Sequence, residues 1–293
     1  MPLDLARHYA RNPRAVALMS GACTLWSLPG EPVLHSAAVP SATLALLWEL
    51  LATPVPGSVL AAHIAAGPDA AALEHLLDRL MTQALVLRGA PDELTNSPAE
   101  SRPSTLLPCA HLVLGVTGAV QAAFIAPTIR RLALDFATSV DVILTRSARR
   151  FITAHAVAAL GVTVWHDPFE RRDGVRVPHA ELAEAADLVL VLPASANAIF
   201  RLAHGSCSDL LSLVVAGTRA PIVVAPSMSP AMWSHPAVRR NVARLRDDGT
   251  YVIEPGPGRS VASDATCTVG ALGLGGDSAS LLDALRAVLD LSR

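Results

Sequence analysis

Leu188-Val189-Leu190-Val191-Leu192-Pro193-Ala194-Ser195-Ala196-Asn197 decides the fold of this 293-residue chain. Five consecutive apolar residues read as a strand buried on both faces, which only a sheet covered on both sides provides. The small polar run after it is a turn into a helix that starts near Asn197. Outward from this stretch the same alternation recurs. His111–Val116, Val140–Leu144, Val162–Trp165, Ile222–Ala225 and Tyr251–Ile253 read as strands. Between and after them, helical patterns run to about Leu134, from Ala148 to Leu160, from His179 to Ala186, from Pro236 to Arg246 and from Ala279 to Leu291. Apolar strands alternating with helices predict an α/β domain with a parallel sheet covered on both faces over residues 109–293.

A stretch with Pro91, Pro98, Pro103 and Pro108 among Ser, Thr and Asn reads as a linker over 91–108. Before it, Cys23–Leu28 and Val33–Val39 flank Pro29-Gly30-Glu31-Pro32 and predict two strands around a turn. Ser41, Ser58 and Asp69 stand where caps of three short helices belong, and Leu85–Leu87 closes the region. Residues 1–90 therefore have the proportions of a small winged-helix-like α+β domain.

Composition narrows the chemistry. All 23 basic residues are arginine, which excludes a Schiff-base lysine, a pyridoxal-phosphate anchor and a P-loop lysine. A net charge of -2 offers no basic field for nucleic acid. Cys23, Cys109, Cys207 and Cys267 are far apart and form no zinc or redox pattern, and Cys207 reads as buried packing. His63, His75, His155, His166 and His204 match no metal spacing and read as structural. No apolar run is long enough to span a bilayer and no signal segment is visible, so the expectation is a cytoplasmic protein without a membrane partner.

Ligands of parallel sheets bind beyond the strands' carboxyl ends. Three such ends carry small polar residues: Gly115-Val116-Thr117-Gly118, Pro193-Ala194-Ser195-Ala196-Asn197, and Pro226-Ser227-Met228-Ser229-Pro230-Ala231-Met232-Trp233. Taken singly, the first two read equally as tight turns, and the Met-Trp segment reads equally as core packing. The order V-T-G, P-A-S-A-N, P-x-M-x-x-x-M-W and H-P-A-V-x-x-N resembles the homo-oligomeric flavin-containing cysteine decarboxylase family over about Leu112 to Gly275. The resemblance implies a Rossmann-like flavoprotein fold that binds FMN, assembled as a trimer or dodecamer with FMN near subunit interfaces. It implies FMN contacts from Thr117, Gly118, Thr145, Arg146, Ser147, Ser195, Ala196, Asn197 and Met228. His179, in His179-Ala180-Glu181-Leu182, corresponds to the catalytic histidine. Ser229, Met232 and Cys267 fall where substrate is bound.

The implied reaction is oxidative decarboxylation of a C-terminal cysteine. Loss of a proton and a hydride from the Cβ–S unit gives a thioaldehyde, which accepts the electrons of the departing carboxylate and leaves an enethiol. Three departures bear on substrate. Ser229 stands where the family has Asn, Ala198 where it has Thr, and Val261-Ala262-Ser263-Asp264 replaces the A-C-G motif of the coenzyme A enzymes. A peptidyl-cysteine decarboxylase stops at the enethiol and does not need that thiol. The expected substrate is thus the C-terminal cysteine of a ribosomally synthesised precursor peptide. The alternatives are a phosphopantothenoylcysteine decarboxylase-like enzyme and a non-catalytic FMN-binding regulator. Trp48-Glu49-Leu50-Leu51 and Leu85-Val86-Leu87 give the first ninety residues a resemblance to PqqD-like leader-peptide-binding modules, which add a peptide as an edge strand; a structural or oligomer-contact domain is the alternative.

Overall fold

The computed structural model describes residues 3–12, 15–20, 24–27, 34–36, 39–52, 54–66, 70–90, 107–170, 174–255, 269–270 and 278–292. The expected linker and the Gly256–Gly276 tail with Cys267 lie almost wholly outside these residues.

The parallel sheet is built as read. β7 (Cys109–Val116), β8 (Ala137–Leu144), β9 (Thr163–Trp165), β10 (Leu188–Ala194), β11 (Ile222–Met228) and β12 (Tyr251–Ile253) pair in parallel in the order β12-β11-β10-β7-β8-β9. The chain runs outward from β7 to β9, then returns to the other side of β7 for β10. The loops after β7 and β10 therefore diverge, and the topological switch point lies between their carboxyl ends. Side chains alternate across the sheet. One face buries Leu112, Leu114, Val142, Leu190 and Val223 beneath α4 (Ala126–Asp135) and α11 (Ser278–Ser292). The other buries Val113, Ile143, Val189, Val191 and Val224 beneath α6 (Pro178–Ala185), α7 (Ala196–Ala203), α8 (Leu210–Gly217), α9 (Pro230–Trp233) and α10 (Pro236–Asp247).

One helical expectation is corrected. Residues 148–160 hold a 3-10 turn and the five-residue α5 (Ala154–Ala158), not one helix. The helix from Asn197 ends at Ala203, Gly205 takes φ 63°, and α8 begins afresh under an Asp209–Ser212 capping box.

The N-terminal region differs most from its reading. β1 (His8–Arg11) and β2 (Val16–Met19) were not legible as strands. β1 pairs with β5 (Val55–Pro56) and β6 (Val86–Gly89), and this small sheet accompanies α1 (Ser41–Leu50), α2 (Gly57–Ala65) and α3 (Ala70–Thr82). Ser41 and Ser58 lie inside the first turns of their helices, with Pro40 and Pro56 at the caps. The expected hairpin forms from β3 (Thr24–Ser27) and β4 (Leu34–Ser36), but β2 joins it to β12 and extends the large sheet to the order β4-β3-β2-β12. Leu18 and Leu25 face the core under α11, while Ala17, Met19 and Trp26 face α1–α3. Residue 90 is therefore no boundary of the sheet: this meander is one wall shared by both cores.

Candidate functional site

Hydrogen bonds pull the loops at the switch point together. Buried Thr117, just past β7, donates from Oγ1 to the Pro193 carbonyl at 2.7 Å and accepts from the Ser195 amide at 2.8 Å. Its own amide also donates to Pro193 O. Thr145, just past β8, donates from Oγ1 to the Val116 carbonyl at 3.2 Å and accepts from the Ala148 amide. Gly118 is where these loops touch: a Cβ there would collide with Cβ of Ser147. Any other residue would push the first and second loops apart.

The loops enclose a cavity of ≈ 970 Å³, within reach of a cofactor-sized ligand. Thr117, Gly118, Thr145, Arg146, Ser147, Ser195, Ala196, Asn197 and Met232 line it, as the family resemblance implies. α7 points its N-terminus at the cavity, with Ser195 as N-cap accepting from Ala198 N. First-turn amides of a helix are free of intrahelical partners and favour an anion such as a phosphate. Arg146 and Arg150 line the same cavity with no ion pair to a described residue, whereas Arg201 is neutralised by Asp209 at 2.7 Å. No group of three or more potential metal ligands occurs among the described residues. The site offers amides, hydroxyls and guanidinium groups, a donor set for a phosphorylated organic cofactor.

Not every expected residue meets here. His179 opens α6, which packs against α8, and does not line the cavity within one chain. Its Nδ1 is buried and has no hydrogen-bond partner among the described residues. Met228 packs against the core under α6–α10, and Ser229 is the N-cap of α9; neither lines the cavity. Sequence reading missed Arg150, His166, Arg201, Ser208 and Asp209 as lining residues. The cap signal D-L-L-S at Asp209–Ser212 was the available clue. His166, read as structural, is a wall residue. Cys207, read as buried, is exposed, with its sulfur 3.7 Å from the Gly205 carbonyl.

Within β7, β8 and β9 a second polar cluster closes on itself. Asp141 of β8 takes His111 Nε2 on one carboxylate oxygen and Trp165 Nε1, at 2.6 Å, on the other. The His111 amide donates to Asp187 at 2.7 Å. The hydrogen bond to Asp141 raises the His111 pKa above the usual imidazole value, against a smaller opposing effect of burial.

The Flavoprotein family profile matches residues 100–272. The coenzyme A biosynthesis bifunctional proteins CoaBC of Mycobacterium bovis and Bacillus subtilis are 41% identical over 156 residues and 36% identical over 149 residues. These matches take in 53% and 50% of this chain, but only 37% and 36% of the relatives, so the chain spans little more than a third of their length. Among solved structures, the FMN-dependent cysteine decarboxylase SpaF is similar at TM-score 0.52 and 28% identity, over 62% of this chain and 97% of SpaF. A PPC decarboxylase mutant complexed with pantothenoylaminoethenethiol shares the fold at TM-score 0.53 and 23% identity, over 61% of this chain and 97% of that one. A family profile covering more than half the sequence and a cavity built for a phosphate-bearing group lead to one conclusion: the chain belongs to the flavoprotein family, and FMN is its cofactor.

Proposed function

We propose that this protein is an FMN-dependent cysteine decarboxylase that converts the C-terminal cysteine of a ribosomally synthesised precursor peptide to an enethiol. The observation that carries this reading is the cavity lined together by Thr117, Gly118, Ser147, Ser195 and Asn197 at the switch point, in a chain similar to SpaF over nearly all of SpaF. FMN, when bound, supplies a two-electron acceptor for the hydride leaving the substrate Cβ.

The chain's own residues do the rest. The α7 amides and the Ser147 hydroxyl would hold the cofactor phosphate, and Thr117 and Thr145 keep their loops in register. Arg146 holds the substrate carboxylate until it departs, replacing the amide that Ser229 lacks. His179 takes the thiol proton at a ring nitrogen; its unpartnered Nδ1 leaves the ring free to do so. His179 acts from a neighbouring copy in a homo-oligomer. Val120, Phe124, Phe151, Phe200 and Met232 support that assembly: they are exposed apolar residues following or lining the cavity loops, the kind of surface a second subunit covers.

The N-terminal unit serves the peptide. β4 is the outermost strand of the sheet and suits addition of an extended segment. Deleting residues before Pro91 would be an unsound test, because β2 to β4 belong to the large sheet. Substitution within the unit is the better probe. Mass spectrometry of a Cys-terminal peptide incubated with FMN-loaded protein should show loss of one carbon dioxide and two hydrogens. If no such peptide loses that mass, the reading fails. His179→Asn should keep the yellow colour and abolish turnover; retained turnover removes His179 from the reaction.

A second reading, decarboxylation of phosphopantothenoylcysteine, is favoured by the 41% identity to CoaBC. Turnover of that small substrate with no reaction on any Cys-terminal peptide would establish it. The non-catalytic FMN-binding regulator, which Ser229 and Ala198 suggest, predicts flavin that no thiol-carboxylate ever reduces.

A further inference from the structure

The seam between the N-terminal unit and the cavity holds several charges. Arg11 of β1 is buried, with 7% exposure, and its guanidinium lies 5.7 Å from the Trp48 ring of α1. Its Nη2 donates to the Pro255 carbonyl, just after β12, at 3.0 Å. Burial lowers the Arg11 pKa to about 10, partly offset by Glu49. Glu49 also faces Arg239 of α10, Oε2 to Nη1 at 3.6 Å. The Arg239 guanidinium in turn lies 5.3 Å from the Trp233 ring. About two turns further along α10, buried Arg246 pairs with Glu254, the residue before Pro255. Two strands and two helices are thus tied across the seam by Arg11, Glu49, Arg239, Arg246 and Glu254.

Trp233 is what makes this more than a structural joint. It ends α9, a single turn of four residues that begins at Ser229 and carries Met232 in the cavity wall. One helical turn does not hold itself, because nucleation costs more than its few hydrogen bonds return. The cap bond within the turn, Met232 N to Ser229 Oγ, is 3.4 Å long. What fixes the turn is Trp233, 3% exposed in the core, with Arg239 over its ring. A guanidinium above an indole face is attracted to the ring, and a carboxylate beyond it holds the guanidinium in place. Arg239 is therefore the part of the clamp that the N-terminal unit, through Glu49, can set.

We propose that Arg239 is a positioning residue for the FMN cavity: held by Glu49 of the N-terminal unit, it seats Trp233 and so places the Ser229–Trp233 turn and Met232 against the cofactor. The N-terminal unit takes part in the flavin site by this route, apart from any peptide it binds. The inference rests on FMN as the occupant of the cavity and not on the identity of the substrate.

The test uses the full-length protein loaded with FMN and reads visible circular dichroism of the flavin, FMN affinity and the thermal midpoint. Arg239→Met should alter the flavin dichroism and weaken FMN binding by about three- to tenfold, the loss of one cation–π contact. Glu49→Gln, on a half-exposed side chain that tolerates change, should shift the dichroism in the same direction and weaken binding about twofold. Arg239→Lys keeps the charge for Glu49 and should recover part of the signal. Arg244→Met, exposed on the same helix, should leave both flavin readouts unchanged. Adding Glu49→Gln to Arg239→Met should change nothing further. Parental dichroism and affinity in Arg239→Met would overturn the proposal. So would a dichroism change in Arg244→Met equal to that in Arg239→Met, or additive effects of Glu49→Gln and Arg239→Met.

Discussion

Two sets of polar groups on one parallel sheet behave in opposite ways. Along β7, β8 and β9 and just before β10, Asp141, His111, Trp165 and Asp187 are joined by hydrogen bonds. At the carboxyl ends, the α7 amides, Arg146 and Arg150 face a cavity. Buried polar groups that pair internally fix a structure, whereas groups left facing a cavity await a ligand. The same strands, with the same apolar cores on both faces, carry both sets. What separates scaffold from site here is whether the polar groups have found partners within the chain.

The contrast is open to attack from either side, and the largest effect should come from the closed cluster. Asp141→Ala strands the Trp165 and His111 nitrogens in the interior and should cost about 3 kcal/mol of stability, seen in denaturant melts. FMN affinity well below the melt should scarcely change; a large loss there would mean that the two sets are not separate. Gly118→Ala acts on the open set. It forces the first two loops apart and should cost about 2 kcal/mol in FMN binding, more than tenfold in affinity by titration. Unchanged affinity would mean that the Gly118–Ser147 approach is not part of the cofactor cradle. Arg146→Met should raise KM about tenfold while kcat changes less, as loss of a ground-state carboxylate contact requires. The same replacement at Arg201, already paired with Asp209, should not reproduce it.

The smallest effect is in pH. His111 has its folded-state pKa raised, chiefly by the hydrogen bond it donates to Asp141. The stability it contributes is fully present below the unfolded value, ~6.5, and fades as pH rises through the higher folded value. Unfolding free energy followed from about pH 6 upward should fall in the parent and fall less in His111→Gln. Equal slopes would show that the pair does not titrate as described.

Much of this contrast was legible in sequence, but unevenly. β7, β10 and β11 announced themselves because strands buried on both faces must be apolar throughout. Thr117, Ser195 and Asn197 followed only from the family resemblance of the V-T-G and P-A-S-A-N segments taken together, since each segment alone reads equally as a tight turn. Arg150, His166 and Arg201 were not legible, since they reach the cavity from loops and helix faces whose positions depend on tertiary packing. β1 is a four-residue strand whose partners lie about 45 to 80 residues away, and β2, though it pairs locally with β3, joins β12 about 235 residues away, so no local pattern marks their place in the sheets. The front hairpin was found and misplaced for the same reason. Its alternation is correct, but nothing in it says that one face serves the flavoprotein core. The seam of Arg11, Glu49 and Arg239 exists only because that meander is shared.

The most direct test of the account is an anaerobic absorption measurement on FMN-loaded protein mixed with a peptide ending in cysteine. The open polar set is proposed to hold FMN and a thiol-carboxylate together. The account predicts bleaching of the oxidised flavin band in step with carbon dioxide release, lost in His179→Asn with FMN still bound. A flavin that stays oxidised with every Cys-terminal peptide and with phosphopantothenoylcysteine would contradict it.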